Sequence, residues 1–108
     1  MISFSDLRRA NLARQQEWDG KNQLSLSYRG NELAGEVGEA CNLIKKLDRE
    51  ALGIRGSRAT KEQLVEELAD VIICIDLICM HLDIGLIMDA VQDKFNATSS
   101  KYGLKTRV

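Results

Sequence analysis

The sequence predicts an all-α fold, a four-helix bundle-like protomer. Apolar residues recur at helical spacing through most of the 108 residues. There is no proline, and aromatic residues make up only 5% of the chain. Serine, threonine and glycine punctuate the periodic segments where helices start and stop. A chain of this length fits one domain, taken as residues 1–108, and no repeat or low-complexity segment divides it.

The first helix is predicted from a cap at Ser3 or Ser5 to about Trp18, with Asp6 favourable near its positive end. Phe4, Leu7, Ala10 or Asn11, and Ala13 or Arg14 form a weak apolar stripe. Asp19-Gly20-Lys21-Asn22 is a turn. Trp18, the only tryptophan, has two readings: a boundary residue plugging the bundle end, or a wall on which a nucleobase stacks.

The second helix is predicted from near Ser25 or Ser27 to about Glu50, with Leu33, Val37, Ala40, Leu43 or Ile44, and Leu47 inward. Gly35 and Gly38 inside it each cost roughly 1 kcal/mol relative to alanine. That cost suggests close approach of another helix or of a ligand. Lys45, Lys46 and Arg49 suit the C-terminal dipole, and Lys46 lies two turns from Glu39 on a similar azimuth, within reach of an anion there. The loop Leu52–Ala59 carries Arg55 and Arg58, either as a plain connector or as a basic lid over phosphates.

Thr60-Lys-Glu-Gln63 has capping-box form and opens a third helix running to about Leu82 or Asp83. Its second half, VIICIDLICM, is apolar nearly all round, so a partner copy is expected to cover it. Asp76 follows Glu67 by nine residues, about 180° around the helix. Its expected role is a buried acid paired across an interface with an Arg or with His81. Gly85 is the expected C-terminal cap, and a fourth helix spans about Leu86 to Ser100, with Leu86, Ile87, Ala90, Val91 and Phe95 inward.

Composition removes several function classes. Hydrophobic residues at 44% and charged residues at 29% suit a globular protein. A net charge of −1 gives no basic footprint, so no nucleic-acid polymer is expected as a partner. The longest apolar run, Val71–Ile75, stops at Asp76, so no membrane partner is expected, and no cleavable leader is visible. Cys41, Cys74 and Cys79 form no CxxC and read as packing residues in a reducing cytoplasm.

Glu36 and Glu39 share one face of the second helix, and Glu67 and Asp70 share one face of the third, with Cβ atoms roughly 5–6 Å apart within each pair. Like charges at that spacing repel and ask for a cation. One ExxE on a helix is usually a solvated acidic face. Two such pairs on consecutive antiparallel helices can converge into a hard oxygen site suited to Mg²⁺, with Mn²⁺ able to substitute. The lone histidine excludes the Glu-x-x-His pairs of diiron bundles and leaves no nucleophilic triad. No P-loop or dinucleotide-binding glycine motif occurs.

With NELAGEVGEA, EELADVIICID and KFNATSSKYGL around it, the pattern resembles the ExxE…ExxD signature of the MazG-like, all-α nucleoside triphosphate pyrophosphohydrolases. The resemblance covers roughly residues 15–105. It implies a Mg²⁺-dependent enzyme that cleaves a nucleoside triphosphate between its α and β phosphates, and a homodimer or homotetramer. It implies Glu36, Glu39, Glu67 and Asp70 as metal ligands, one of the glutamates also acting on the attacking water. Lys94 and Tyr102 match the family's phosphate-side KxxxxxxxY. The family often has Asn and Arg where this chain has Thr98 and Lys101, so Asn96 and Lys101 are the candidates to replace those contacts. Trp18 resembles an aromatic near the base in some relatives, and Asn31 and Glu32, which open the signature, are candidates for sugar or base contact. A dUTP-type diphosphatase or a phosphoribosyl-ATP pyrophosphohydrolase would share the scaffold. A non-enzymatic helical interaction module, its acids merely solvated, is the rival from another class.

Overall fold

The computed structural model describes every residue from 1 to 108 except Arg55, Ser57 and Arg58. The described residues form four helices and no strand: α1 (Phe4–Trp18), α2 (Leu26–Ala51), α3 (Lys61–His81) and α4 (Ile87–Lys101). The basic-lid expectation for Arg55 and Arg58 lies outside the described residues.

Each helix starts where local chemistry favours it, except α4. Ser3 Oγ accepts the Asp6 N–H at 3.1 Å, and Asp6 accepts the Ser3 N–H at 2.8 Å. These bonds from Ser3, helped by Arg9, hold the Asp6 carboxyl below its ordinary value. Ser25 caps α2 through the Tyr28 N–H at 3.1 Å, and Thr60 and Gln63 form the anticipated capping box on α3. Only Leu86, which has no capping side chain, precedes α4.

The end of α3 corrects one expectation. The left-handed residue is Asp83 (φ 54°), not Gly85. The Ile84 N–H reaches Cys79 O at 3.0 Å and the Asp83 N–H reaches Met80 O at 3.1 Å, so the Schellman turn closes before Gly85. Aspartate tolerates that conformation better than most residues with a Cβ.

The α2–α3 pair is antiparallel. Ala59 N donates to Glu50 Oε1 at 3.0 Å, Glu39 meets Glu67, Glu36 meets Asp70, and Glu32 meets Cys74. Partners therefore run in opposite order along the two helices. Helix α1 packs on α3, while α4 touches the body lightly. The radius of gyration is 17.3 Å, against about 13 Å for a compact chain of this length. Few apolar side chains are fully buried, among them Ala40, Cys74, Leu77 and Cys79. Val65, Leu68, Ile72, Val91 and Phe95 remain exposed, so the chain leaves apolar surface on α3 and α4 uncovered. Among the described residues no helix is long and apolar enough to cross a membrane.

Asp76 is fully buried and paired with an arginine as expected, but that arginine is in the same chain, which corrects only the pairing across an interface. Arg8 reaches it from α1, with Nη2 at 3.0 Å and Nε at 3.1 Å from Oδ1, and Asn11 Nδ2 donates to Oδ2 at 2.8 Å. The same guanidinium donates to the carbonyls of Ile84 and Gly85, at 3.1 and 3.3 Å. One arginine thus ties α1 to α3 and to the turn before α4.

Gly35 and Gly38 of α2 have open space beside them among the described residues. A Cβ built on Gly35 or Gly38 meets nothing within 4 Å. Among the described residues no other helix comes within that distance of a Cβ at either position.

Candidate metal centre

Facing surfaces of α2 and α3 carry the acids. Glu32, Glu36 and Glu39 follow i, i+4, i+7 on α2, and Glu67, Asp70 and Cys74 follow i, i+3, i+7 on α3. Glu36, Glu67 and Asp70 each place a carboxylate oxygen within 4.8 Å of the others. Glu39 stands outside that triplet but directly beside Glu67. The antiparallel register produces the convergence.

These carboxylates are short of partners. Among the described residues, Glu32 Oε1, Glu36 Oε2 and Glu67 Oε2 are buried and accept no hydrogen bond. The Glu67 carboxyl is pushed up to about 7, first by the neighbouring Glu39 carboxyl, then by burial and by Glu36. Burial, then Glu39 and Asp70, raises Glu36 as well. The Cys74 thiol is pushed up to about 11, chiefly by burial and next by Glu32 and Glu36. A raised carboxyl is the electrostatic sign that negative charge is crowded without compensation.

The donor set fits a hard divalent cation. The oxygens of one octahedral Mg²⁺ sit about 3 to 4 Å apart, given bonds of roughly 2.1 Å. Small side-chain rotations would bring an envelope of 4.8 Å to that spacing. Glu36, Glu67 and Asp70 would hold such an ion, with Glu39 within reach as a further oxygen ligand.

The shifted acids set a pH dependence in the metal-free protein. Between about 4.5, the ordinary glutamate value, and about 7, folded Glu67 retains a proton that the unfolded chain has released. The stabilisation is complete below that window and is lost as pH rises through it. The lowered Asp6 and Asp19 carboxyls titrate below 3.8 and act outside the window. In a chelator, the melting temperature is expected to be higher at pH 5.5 than at pH 8, and excess Mg²⁺ should narrow the gap by replacing the proton. A melting temperature rising with pH across this range would contradict the arrangement.

Of the other predicted site residues, Lys101 meets Tyr102 at the end of α4, while Trp18 and Glu32 come together elsewhere. They line a cavity of about 440 Å³ with Asp19, Gln23, Tyr28 and Arg29. Trp18 is 63% exposed, so it does not plug the bundle end of the protomer. Asn31 is exposed on α2, and Lys46 already interacts within the protomer.

The α4 candidates stand apart from the acids. Lys94 lines an apolar cavity of about 600 Å³ built from α4 and the tail, which contains none of the carboxylates. Asn96 is committed elsewhere: its amide donates to Val108 O at 3.1 Å and accepts the Val108 N–H at 2.8 Å. The Lys101 ammonium lies over the Tyr102 ring at 5.4 Å. Among the described residues, no recorded hydrogen bond or ion pair brings Lys94, Asn96, Lys101 or Tyr102 to the acid cluster. The expected phosphate-side group is therefore not assembled with the cluster in one protomer.

Sequence reasoning missed Arg29, Tyr28, Asp19 and Gln23 as cavity residues, and Cys74 as a neighbour of the acids. The available signal was spacing: Arg29 precedes Glu32 by three residues and Cys74 follows Asp70 by four, each on the acidic face.

Comparison with known protein families, with curated proteins and with solved structures finds no match. The functional reading rests on the residues and their geometry.

Proposed function

We propose that the chain is a Mg²⁺-dependent nucleoside triphosphate pyrophosphohydrolase of the MazG-like all-α kind, yielding a nucleoside monophosphate and pyrophosphate. The observation that carries this reading is the convergence of Glu36, Glu39, Glu67 and Asp70 from two helices, with a buried oxygen on Glu36 and on Glu67 that accepts no hydrogen bond among the described residues. Canonical or modified deoxynucleoside triphosphates are the proposed substrates, in a cytoplasmic house-cleaning role.

Bound Mg²⁺ supplies charge neutralisation at phosphate oxygens and a more acidic water. Glu36, Glu67 and Asp70, with Glu39 within reach, would hold the ion between α2 and α3, and a glutamate of the cluster would take the proton of the water that attacks the α phosphorus. The bond from that phosphorus to the oxygen bridging to the β phosphate breaks, and pyrophosphate leaves. The exposed apolar residues of α3 and α4 support assembly as a homodimer or homotetramer.

The test is pyrophosphate release from a panel of deoxynucleoside triphosphates with Mg²⁺. Release from at least one is expected, and a folded protein that releases none from any nucleotide refutes the reading. The same exposed faces favour one second reading, a helical interaction module. Calorimetric titration with Mn²⁺ separates the two, because the module has no need to bind the ion.

A further inference from the structure

We propose that Arg29 reads the carbonyl edge of a nucleobase held in the cavity beside the acid cluster, which makes guanine, uracil and thymine nucleotides the favoured substrates. The inference rests on the pyrophosphohydrolase reading and names the substrate class of that site.

Arg29 is 1% exposed, yet among the described residues its Nε has no hydrogen-bond partner. Its Nη2 donates to Gln15 Oε1 at 3.1 Å, a neutral acceptor. Among the described residues no carboxylate forms an ion pair with it. Asp19 interacts with Arg29 only electrostatically, because its carboxylate accepts the N–H groups of Gln23 and Leu24 at 2.8 and 3.1 Å. A buried guanidinium N–H left without an acceptor is costly, and native structures satisfy nearly all such groups. Arg29 lines the 440 Å³ cavity, so a ligand acceptor can complete it from there.

The cavity selects a flat, uncharged acceptor over a phosphate. Trp18 and Tyr28 supply aromatic surface, and Arg14 lies over the Trp18 ring at 5.0 Å while the indole as a whole stays 63% exposed. Asp19 and Glu32, also in the lining, repel an anion. Glu32 joins the two regions: it lines this cavity, and its carboxylate acts on Cys74 together with Glu36 and Asp70. A nucleotide with phosphates at the carboxylate-bound ion would therefore direct its base toward Trp18 and Arg29. Arginine only donates hydrogen bonds, so it matches a carbonyl oxygen and opposes the amino group that adenine and cytosine carry at the corresponding position.

The experiment pairs two readouts. Pyrophosphate release is measured for dGTP, dUTP, dATP and dCTP with wild type, Arg29→Gln and Arg29→Lys. Quenching of Trp18, the only tryptophan, is measured with dGMP, dUMP, dAMP and dCMP in Mg²⁺. We expect kcat/KM about tenfold higher for dGTP and dUTP than for dATP and dCTP. Arg29→Gln should remove that preference mainly through KM, and Arg29→Lys should restore part of it. Equal rates, a preference for dATP or dCTP, or a keto preference that survives in folded Arg29→Gln overturns the proposal. If Arg29→Gln does not fold, the wild-type ranking decides alone. If no triphosphate is cleaved but dGMP and dUMP quench selectively, the catalytic reading fails and the base-reading role stands. Neither cleavage nor quenching refutes both.

Discussion

Glu67→Gln is expected to lower pyrophosphate release by at least about 10²-fold, more than the loss of an outer-shell group costs a metal site, while raising the melting temperature of the metal-free protein at pH 8. The two effects share one cause. Glu67 sits among Glu36, Glu39 and Asp70, and its carboxyl is pushed up to about 7 by Glu39, by burial and by Glu36. At pH 8 the folded metal-free protein therefore carries repulsion that the unfolded chain relieves. Glutamine keeps the size of the side chain and removes one charge, so folding is favoured at pH 8 and the melting temperature becomes flatter with pH. The same change removes an oxygen ligand of full charge, so Mn²⁺ affinity falls in calorimetry. A substitution that stabilises the chain, weakens ion binding and ends turnover is the signature of an acid retained for a ligand rather than for the fold. Loss of activity together with a lower melting temperature at pH 8 would make Glu67 a structural residue and remove the main support for the metal centre.

Helices were legible because their determinants are local. Ser3, Ser25 and Thr60 lie next to the helices they cap, and a capping box is complete within four residues. Asp83 escaped because sequence favours glycine for a left-handed residue, whereas the point where the α3 pattern ends places aspartate there. The acid pairs were legible as pairs, since three-residue spacing fixes a common face. That Glu36, Glu67 and Asp70 form the tightest triplet, with Glu39 beside them, follows from the antiparallel register, which the spacing within either helix does not contain. Glu32 looked like a lesser member, yet its i+4 relation to Glu36 puts a buried oxygen on the same face. Gly35 and Gly38 suggested a close helix or a ligand, and among the described residues no helix lies close to a Cβ at either position. The α4 residues were matched by motif alone, and a motif carries no information about which surface that helix meets.

Arg8→Met is expected to destabilise the protein by about 3–5 kcal/mol, the range for removing one partner of a buried ion pair. Nothing in the local sequence marks this residue, because its partner Asp76 is 68 positions away. Asp76 is 0% exposed and accepts from Arg8 and Asn11, so methionine at position 8 leaves a buried carboxylate with one neutral donor. The Ile84 and Gly85 carbonyls lose their donor at the same time, which loosens the turn leading to α4. At roughly 4–8 °C per kcal/mol for a domain near this size, the melting temperature should fall by more than about 10 °C. Arg8→Met combined with Asp76→Leu should recover part of the loss by removing the stranded charge, although Asn11 then lacks an acceptor. The site should be spared, because Asp76 lies nine residues from Glu67, about half a turn around α3 from the acidic face. Mn²⁺ affinity of folded Arg8→Met, measured well below its transition, should match wild type. An unchanged melting temperature would show that the Arg8–Asp76 pair holds nothing together. A large loss of ion affinity would show that the α1 contact, and not the α2–α3 register alone, positions the carboxylates.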